Sequence, residues 1–332
     1  MNILFTSVGR RYYIIDYFKK NLNKKTKIVS INSSIYSSAK NNSNFFYKSP
    51  EIQSKSYIKF VSSIIKKHKI KVVIPLIDID SKKLSKNISI INKLNAILIS
   101  PPYEIVNIIL DKYKLYKFLK KNEFFTPKTY ISKNDFLFDL RKKKIKFPIM
   151  LKPRYGTSSI LTIKAKNTTE LNLFYKYLMK KIQYQYFNKR NHKKKIVIQE
   201  CIEGTEYGLD LLNSIGKNYH SHLLKEKIKM RNGETDICKI SNRNISTMCK
   251  KISELILHNF LVDIDMIEMS KKFYIIDINP RIGGGYPFTH TAGFDMVKYL
   301  LNQIYFKKKI KLPSIDSTGI LMKDIHISKV NL

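Results

Sequence analysis

The sequence lacks the features of membrane-spanning, exported and disulfide-stabilised proteins. No uninterrupted apolar stretch approaches the roughly 20 residues that a membrane-spanning helix needs. The short apolar N-terminal segment precedes Arg10 and Arg11 instead of following basic residues, and Asp16 interrupts the apolar run that a twin-arginine signal requires. The three cysteines (Cys201, Cys238 and Cys249) show no CxxC spacing and cannot all pair. We therefore expect a cytoplasmic protein with no membrane span, no disulfide scaffold and no structural zinc.

Acidic residues are scarce, and tryptophan is absent. The chain has 25 Asp and Glu against 62 Lys and Arg, which gives a formal net charge of +37. This excess could indicate binding to nucleic acid or to an anionic membrane surface. However, only eight of the 62 are Arg, the residue that makes bidentate contacts to bases and phosphates. Lys, Asn, Ile, Tyr and Phe, which AT-rich codons encode, are all abundant. We therefore attribute the charge to codon usage and expect no specific nucleic-acid partner.

Common catalytic and nucleotide-binding signatures are missing as well. A GxxxxGK[ST] sequence is absent, which excludes the P-loop. The seven histidines show no metal-ligand spacing, and no Ser/His/Asp or Cys/His arrangement stands out.

The pattern of apolar residues predicts an α/β protein. With 332 residues, 43% of them hydrophobic, the chain can bury two or three cores. The first part alternates short apolar strands with helices, which predicts parallel βαβ units. The expected strands are 3–6, 27–31, 71–76 and 96–99, with a helix at 57–68. Pro101 and Pro102 punctuate the end of this unit, so we place its boundary near residue 103.

Two further lobes and a C-terminal segment follow this N-terminal domain. Residues 104–195 are expected to contain a helix at 111–121, a strand entering a loop at 152–159, a returning strand at 160–164 and a helix at 166–185. Residues 196–312 begin with an apolar strand and contain another at 273–278. Residues 313–332 form the C-terminal segment, and the last 20 residues carry strand-like alternation.

Acidic residues at alternate positions predict a hard-oxygen metal site. Asp277 and Asn279 are two apart in a strand and therefore share a face. The segment around Asp265 precedes this strand and predicts a hairpin. A two-residue loop would put Asp265 and Asp277 on opposite faces, whereas a three-residue loop would put them directly opposite each other. In the second case two carboxylates and an amide suit Mg²⁺, and Arg281 adds positive charge for a phosphoryl group. A solvent-facing sheet edge is the alternative.

Two loops have weaker signals. Small residues follow Lys152 and would let backbone N–H groups close over phosphates, although a hairpin turn has the same composition. At Glu200 an apolar strand ends in acids beside a turn. A carboxylate there could accept hydrogen bonds from ribose hydroxyls or an exocyclic amine, although an ordinary strand–turn–strand is equally consistent.

Taken in order, these segments resemble the ATP-grasp superfamily, in particular short proteins related to the carbamoyl-phosphate synthase large subunit. The resemblance spans nearly the whole chain, through the blocks Asn2–Arg11, Val73–Asp78, Asp111–Tyr113, Thr126–Thr129, Phe147–Arg154, Asp277–Arg281 and Gly283–Pro287. It implies a parallel βαβ domain followed by two α+β lobes that clasp ATP.

The resemblance also implies roles for individual residues. Lys112 and Lys152 match the lysines that hold ATP phosphates, and Arg154, Ser158 and Lys227 are further candidates for nucleotide binding. Glu200 and Ile202 match the adenine-reading hinge, and Glu206 matches the ribose carboxylate. The metal ligands would be Asp265, Asp277 and Asn279, with Arg281 and Lys152 as the catalytic residues. Two positions depart from the pattern, because Glu is commoner at 277 and the residue at 265 varies among Gln, Glu and Asp.

The expected function is ATP-dependent ligation of a small-molecule carboxylate to an amine through an acyl phosphate. ATP and Mg²⁺, with Mn²⁺ as the alternative metal, are the implied cofactors, and a homodimer is the possible assembly. The loop at 153–159 would act as a lid, and the acceptor pocket would lie near Gly283–Gly293, with Asp78 and His290 as lining candidates. Two alternatives remain: an ATP-grasp enzyme with another nucleophile, either carbamoyl phosphate-forming or carboxylating, and a basic nucleic-acid-binding protein.

Overall fold

A computed structural model of the protein describes residues 2–23, 25–156, 161–182, 194–216, 218–305, 315 and 319–324. Within these residues, the strands form three sheets of five, four and six strands. No helix in the described ranges is long and apolar enough to cross a membrane.

The N-terminal domain is a parallel sheet with helices on both faces, as the alternating pattern predicted. Its strands lie in the order β3-β2-β1-β4-β5. Successive residues of the first strand enter opposite cores: Ile3 and Phe5 pack on one side, and Leu4 on the other. The strands are β1 (Asn2–Thr6), β2 (Ile28–Asn32), β3 (Phe45–Lys48), β4 (Ile70–Pro75) and β5 (Ile97–Leu98), and the helices are α1 (Tyr12–Asn21), α2 (Tyr57–Lys67), α3 (Asp78–Lys86) and α4 (Ile88–Lys93).

Two helices connect this domain to the rest of the chain: α5 (Tyr103–Ile109) and α6 (Lys112–Lys121). The carboxylate of Asp111 caps α6 by accepting the backbone N–H groups of its first turn. Leu115 and Leu119 of α6 pack into the core beneath the six-stranded sheet. The segment therefore belongs by packing to a sheet that is formed much later in the chain.

The four-stranded antiparallel sheet has the order β6-β9-β7-β8. Its strands are β6 (Thr129–Tyr130), β7 (Ile149–Pro153), β8 (Ile163–Ala165) and β9 (Ile196–Glu200), and α7 (Lys133–Arg141) and α8 (Thr168–Lys181) cover it. Because β9 pairs with β7 throughout its length, the boundary expected at 195/196 would cut this sheet. We propose that the lobe ends after Glu200 instead.

The six-stranded antiparallel sheet has the order β14-β13-β10-β11-β12-β15. Its strands are β10 (Thr205–Asn213), β11 (Tyr219–Arg231), β12 (Glu234–Ser241), β13 (Leu261–Met269), β14 (Lys272–Asn279) and β15 (Ile320–Met322), and the helices in this part are α9 (Ser246–Ile256), α10 (Tyr286–Thr291) and α11 (Met296–Tyr305). One face carries Tyr207, Leu209 and Leu211 and packs against α5, α6 and α9. Residues of α11 join the core around α1, which attaches this sheet to the N-terminal domain.

Candidate active site

A cleft of about 320 Å³ opens between the four-stranded and six-stranded sheets. Its floor is polar because even-numbered residues of β10 and odd-numbered residues of β11, β13 and β14 share this face. Most of the residues singled out from the sequence line it: Lys112, Lys152, Glu200, Ile202, Glu206, Lys227, Asp265, Asp277, Asn279 and Arg281. The structure thus gathers side chains that are widely separated along the chain.

The β13–β14 hairpin pairs Asp265 with Asp277. The turn has two residues, Ser270 and Lys271, both with left-handed backbone (φ 49° and 62°), so the shorter of the two loops considered from the sequence is present. A β-bulge at Ile276 shifts the register by one residue. The two carboxylates therefore lie directly opposite each other, although a two-residue loop without a bulge would have put them on opposite faces.

Lys112 and Lys152 enter the cleft from different elements. Lys112 is the first residue of α6, and its Nζ donates to the carbonyl oxygen of Gly156 (3.0 Å) and lies 3.6 Å from Oδ2 of Asp277. The Nζ of Lys152, on β7, donates to Oε1 of Gln199 (2.8 Å). Burial, and then the charge of Lys112, lower the pKa of Lys152 to about 8, although Asp277 opposes this effect. Binding of a polyanion would relieve the repulsion between the two ammonium groups.

Arg154, which the resemblance assigned to the nucleotide, does not line the cleft. Its Nε and Nη2 donate to the two carboxylate oxygens of Asp111 at 2.8 and 2.6 Å. Asp111 is fully buried and also accepts a hydrogen bond from the hydroxyl group of Tyr155. Because this bidentate ion pair occupies the guanidinium, we correct the assignment: Arg154 holds the start of α6 and thereby Lys112. Ser158 lies outside the described residues, as do Thr157 and Ser159 of the loop expected to form a lid.

The chain crosses from one sheet to the other between Glu200 and Gly204. The Glu200 carboxylate accepts the backbone N–H of Lys128 (3.0 Å), which ties the crossing to the four-stranded sheet. Gly204 is required here, because a Cβ would lie 2.0 Å from the carbonyl oxygen of Glu268. Ile202 and Ile267 form an apolar wall of the cleft beside this crossing. The arrangement suits a flat ring that lies against apolar side chains and meets backbone groups at its edge.

Two lysines of β11 lie on the cleft floor. Lys227 donates to Oδ1 of Asp265 at 2.5 Å, and the more deeply buried Lys225 donates to Asp210 and to Oγ1 of Thr289. The neighbouring position on β10 is Gly208, where a Cβ would lie 3.3 Å from Cε of Lys227. The absence of a side chain at this position leaves room for both lysines.

Arg281 lies between buried carboxylates. Its Nε is 2.9 Å from Oδ1 of Asp78, and its Nη1 is 3.8 Å from Oδ2 of Asp263. These charges raise the pKa of Arg281 despite its burial. Asp78 is therefore an ion-pair partner and does not line the cleft. His290, the other predicted lining residue, stacks on Tyr17 with 3.8 Å between ring centroids and lies apart from the cleft residues.

The residues predicted to bind Mg²⁺ fit a hard cation. Asp265 and Asp277 oppose each other, and Asn279 is two residues further along the same face. Burial raises the pKa of Asp277, and the charge of Asp265 adds to this effect while Lys112 opposes it. A cation would relieve that repulsion. Among the residues that the structure describes, no three His, Cys, Asp or Glu form a metal-binding group, so water or phosphate oxygens would complete the coordination.

Asp263, Lys225 and Arg11 also line the cleft, although no role was predicted for them. Asp263 pairs with Asn279 across the hairpin, and burial raises its pKa to about 7. Period-two alternation from Asp265 could have identified it. Arg11 could not be found in this way, because it reaches the cleft through tertiary contacts with Leu76 and Ile282.

A polar antiparallel floor, converging lysines and a paired-carboxylate hairpin together characterise this α/β protein. Residues 109–285, more than half of the chain, match the ATP-grasp domain family, and residues 3–99 match the PylC-like N-terminal domain. The protein therefore belongs to the ATP-grasp family, which confirms the resemblance found in its sequence.

Solved structures with this fold cover almost the whole chain. The biotin carboxylase domain of Hydrogenobacter thermophilus 2-oxoglutarate carboxylase, a dimer in complex with MgADP, ADP and bicarbonate, is 14% identical, with a TM-score of 0.72 over 96% of this chain and 73% of that one. The N5-carboxyaminoimidazole ribonucleotide synthetase of Thermotoga maritima (15%, TM-score 0.67) covers 95% and 78%. The L-amino acid ligase of Bacillus licheniformis (17%, TM-score 0.67) covers 91% and 73%. At these identities the likeness establishes a shared fold.

A curated relative is MJ0776 of Methanocaldococcus jannaschii, an uncharacterised protein that is 28% identical over 205 residues. The match covers 61% of this chain and 49% of that protein, so the chain spans about half of the length of this relative.

Proposed function

We propose that this protein is an ATP-dependent carboxylate–amine ligase. The observation that carries the proposal is the convergence of Lys112 and Asp277, 3.6 Å apart, beside the half-buried Lys152 in one cleft. Phosphoryl transfer needs groups that position the phosphates and offset the developing charge, and lysines facing a carboxylate-bound cation supply both. Membership of the ATP-grasp family supports ATP as the phosphoryl donor.

In this proposal the nucleotide lies along the cleft. The adenine packs against Ile202 and meets the backbone of the crossing after Glu200, and the ribose hydroxyls donate to Glu206. Lys112, Lys152 and Lys227 bind the phosphates and exchange their contacts with the protein's carboxylates for contacts with the nucleotide. Asp265, Asp277 and Asn279 would hold Mg²⁺ (Mn²⁺ suits the same donors), which supplies positive charge next to the phosphate oxygens.

The proposed reaction has two steps. An oxygen of the substrate carboxylate forms a bond to the γ-phosphorus, and the bond to the β-phosphate oxygen breaks, which yields an acyl phosphate and ADP. The amine nitrogen then attacks the acyl carbon, and the carbon–oxygen bond breaks to release phosphate. The nitrogen loses a proton, and an amide results. Arg281 and Lys152 offset the negative charge during the first step.

Isotope transfer tests the proposal. The full chain is incubated with MgATP, mixed carboxylic acids labelled with ¹⁸O and mixed amines. We expect ADP release that requires both substrates, with one ¹⁸O atom appearing in the released phosphate. Hydroxylamine in place of the amine should give a hydroxamate. ADP release that requires bicarbonate but no amine would instead indicate a carboxylating enzyme, and unlabelled phosphate would contradict the acyl phosphate.

A further inference from the structure

Arg11 lies in the turn between β1 and α1 of the N-terminal domain. This turn closes one end of the cleft. Ser7 and Gly9 in this turn have left-handed backbone, with φ of 57° and 50°. Hydrogen bonds fix the turn, since the backbone N–H of Gly9 donates to Oδ1 of Asn32 (3.1 Å) and the Ser37 hydroxyl donates to the Gly9 carbonyl oxygen. The side chain of Arg11 therefore extends from a well-anchored backbone.

The guanidinium of Arg11 has only neutral partners. Its Nη1 donates to the carbonyl oxygens of Leu76 (2.6 Å) and Ile282 (3.0 Å). Over the described ranges no carboxylate lies within ion-pair distance of Arg11, and Nε and Nη2 make no hydrogen bond. The two carbonyls orient the group and leave the three N–H donors of Nε and Nη2 for another partner.

Arg11 differs from Arg281 in that, among the described residues, no carboxylate lies within ion-pair distance of it. Arg281 has Asp78 and Asp263 beside it. For Arg11, burial and then the charge of Arg281 lower the pKa, against weaker opposing effects of nearby acids. A cation in this position costs free energy unless an anion approaches it. An anionic group of a ligand at this end of the cleft would stabilise the charged guanidinium.

Arg11 and Lys112 contact different residues of the segment that begins with β14. Along β14 and the loop that follows, Asp277 lies beside Lys112, Arg281 comes next, and Ile282 contacts Arg11. Arg11 and Lys112 therefore contact different parts of this segment. An anion bound by Arg11 would lie at the end of the cleft where Leu76 and Ile282 meet Arg11.

We propose that Arg11 binds a carboxylate of the amine substrate, so that the acceptor is an amine that keeps its own carboxylate, as an amino acid does. This inference rests on the proposed ligase function. The free edge of a guanidinium matches a carboxylate in shape, and one positive charge matches one negative charge. A phosphate, which carries about −1.5 to −2 at neutral pH, would leave part of its charge unmatched by this single guanidinium.

The test compares forms of the amine. The standard L-amino acids are supplied to the full chain as free acids, as carboxamides and as aminophosphonates, with MgATP and a mixture of small carboxylic acids. We expect ADP release with a free acid and little with its carboxamide or phosphonate. Arg11→Gln should raise the KM for that acid by roughly 10- to 100-fold, the effect of one charge-assisted pair, and leave the KM for ATP unchanged. Arg10→Gln, at an exposed neighbouring position, is the control.

Several outcomes would overturn the inference. These are equal use of acid and carboxamide, a preference for the phosphonate, and an unchanged KM in Arg11→Gln. If Arg11→Gln fails to fold, Arg11→Lys keeps the charge without the fork and should show a smaller rise in the same KM; no rise would refute the pairing. MgADP binding, measured as a thermal shift, separates the two proposals. Normal binding without ADP release from any amino acid refutes the role of Arg11, whereas no binding refutes the ligase proposal.

Discussion

The carboxylate of Asp277 is expected to be essential for turnover and dispensable for folding. Burial raises its pKa, so the charged form is disfavoured in the unliganded protein. Asp277→Asn should abolish Mg²⁺-dependent ADP release and leave the unliganded melting temperature unchanged or slightly higher. Activity assays and thermal unfolding of the same preparation measure both effects.

Neighbouring substitutions serve as graded controls. Asn279→Ala should reduce activity less, because a neutral amide contributes one dipole and no charge. Asp265→Asn should fall between the two, since Asp265 lies directly opposite Asp277. Full activity in Asp277→Asn would remove the metal site and the main support for phosphoryl transfer.

Lys152 should take up a proton when a nucleotide binds above pH 8. The pKa of Lys152 is lowered from 10.5 to about 8. Between these two pH values the folded protein holds fewer protons on Lys152 than the unfolded chain does. The contribution of Lys152 to the free energy of unfolding therefore rises with pH across this range. Nucleotide phosphates would raise the pKa again. Calorimetry of ADP binding at pH 8.5, in buffers that differ in ionisation enthalpy, should therefore show net proton uptake.

Lys152→Arg is the matched control for this measurement. Arginine stays protonated throughout the range, so residue 152 of the variant takes up no proton when ADP binds. The variant should therefore bind ADP with less proton uptake than the wild type. Equal uptake in wild type and variant would show that Lys152 does not change its protonation on binding.

At the level of elements, one buried ion pair supports the start of α6. Asp111 joins Arg154 at 2.6 Å and caps the helix that begins with Lys112. Arg154→Leu leaves the Asp111 carboxylate without its partner and should lower the free energy of unfolding by about 3–5 kcal/mol. Urea unfolding measures this loss. Arg154→Leu combined with Asp111→Asn should recover part of it, and an unchanged stability in Arg154→Leu would contradict the structural role.

The elements differ in how far the sequence determines them. Apolar alternation predicts β9 to the residue, because local side-chain pattern decides where a strand forms. It does not predict which sheet β9 joins, since pairing with β7 depends on tertiary contacts. The β13–β14 hairpin shows the same limit: neither its two-residue turn, which lacks glycine, nor its bulge has a sequence signal, yet the bulge sets the register of the carboxylates.

At the scale of the whole molecule, the parallel N-terminal domain and most cleft residues could be predicted from the sequence. Both predictions use signals contained in short segments, namely the alternation of strands with helices and the sequence blocks that resemble ATP-grasp proteins. Arg154 was assigned to the nucleotide because the blocks give its position but not its partner, and Asp111 becomes that partner through contact between β7 and α6. Arg11 had no local signal, because its surroundings are built from the N-terminal domain and the loop after β14.

We expect the protein to have no specific nucleic-acid partner, despite its net charge of +37. The chain has only eight arginines, and four of them pair with the protein's own carboxylates, namely Arg154, Arg231, Arg243 and Arg281. The remaining lysine–phosphate attraction depends on counterion release and weakens steeply with salt. Anisotropy of labelled duplexes of two unrelated sequences should show equal binding at low salt and almost none at physiological salt. A sequence-dependent dissociation constant near roughly 10⁻⁸ M at that salt would contradict this expectation and favour a nucleic-acid-binding function.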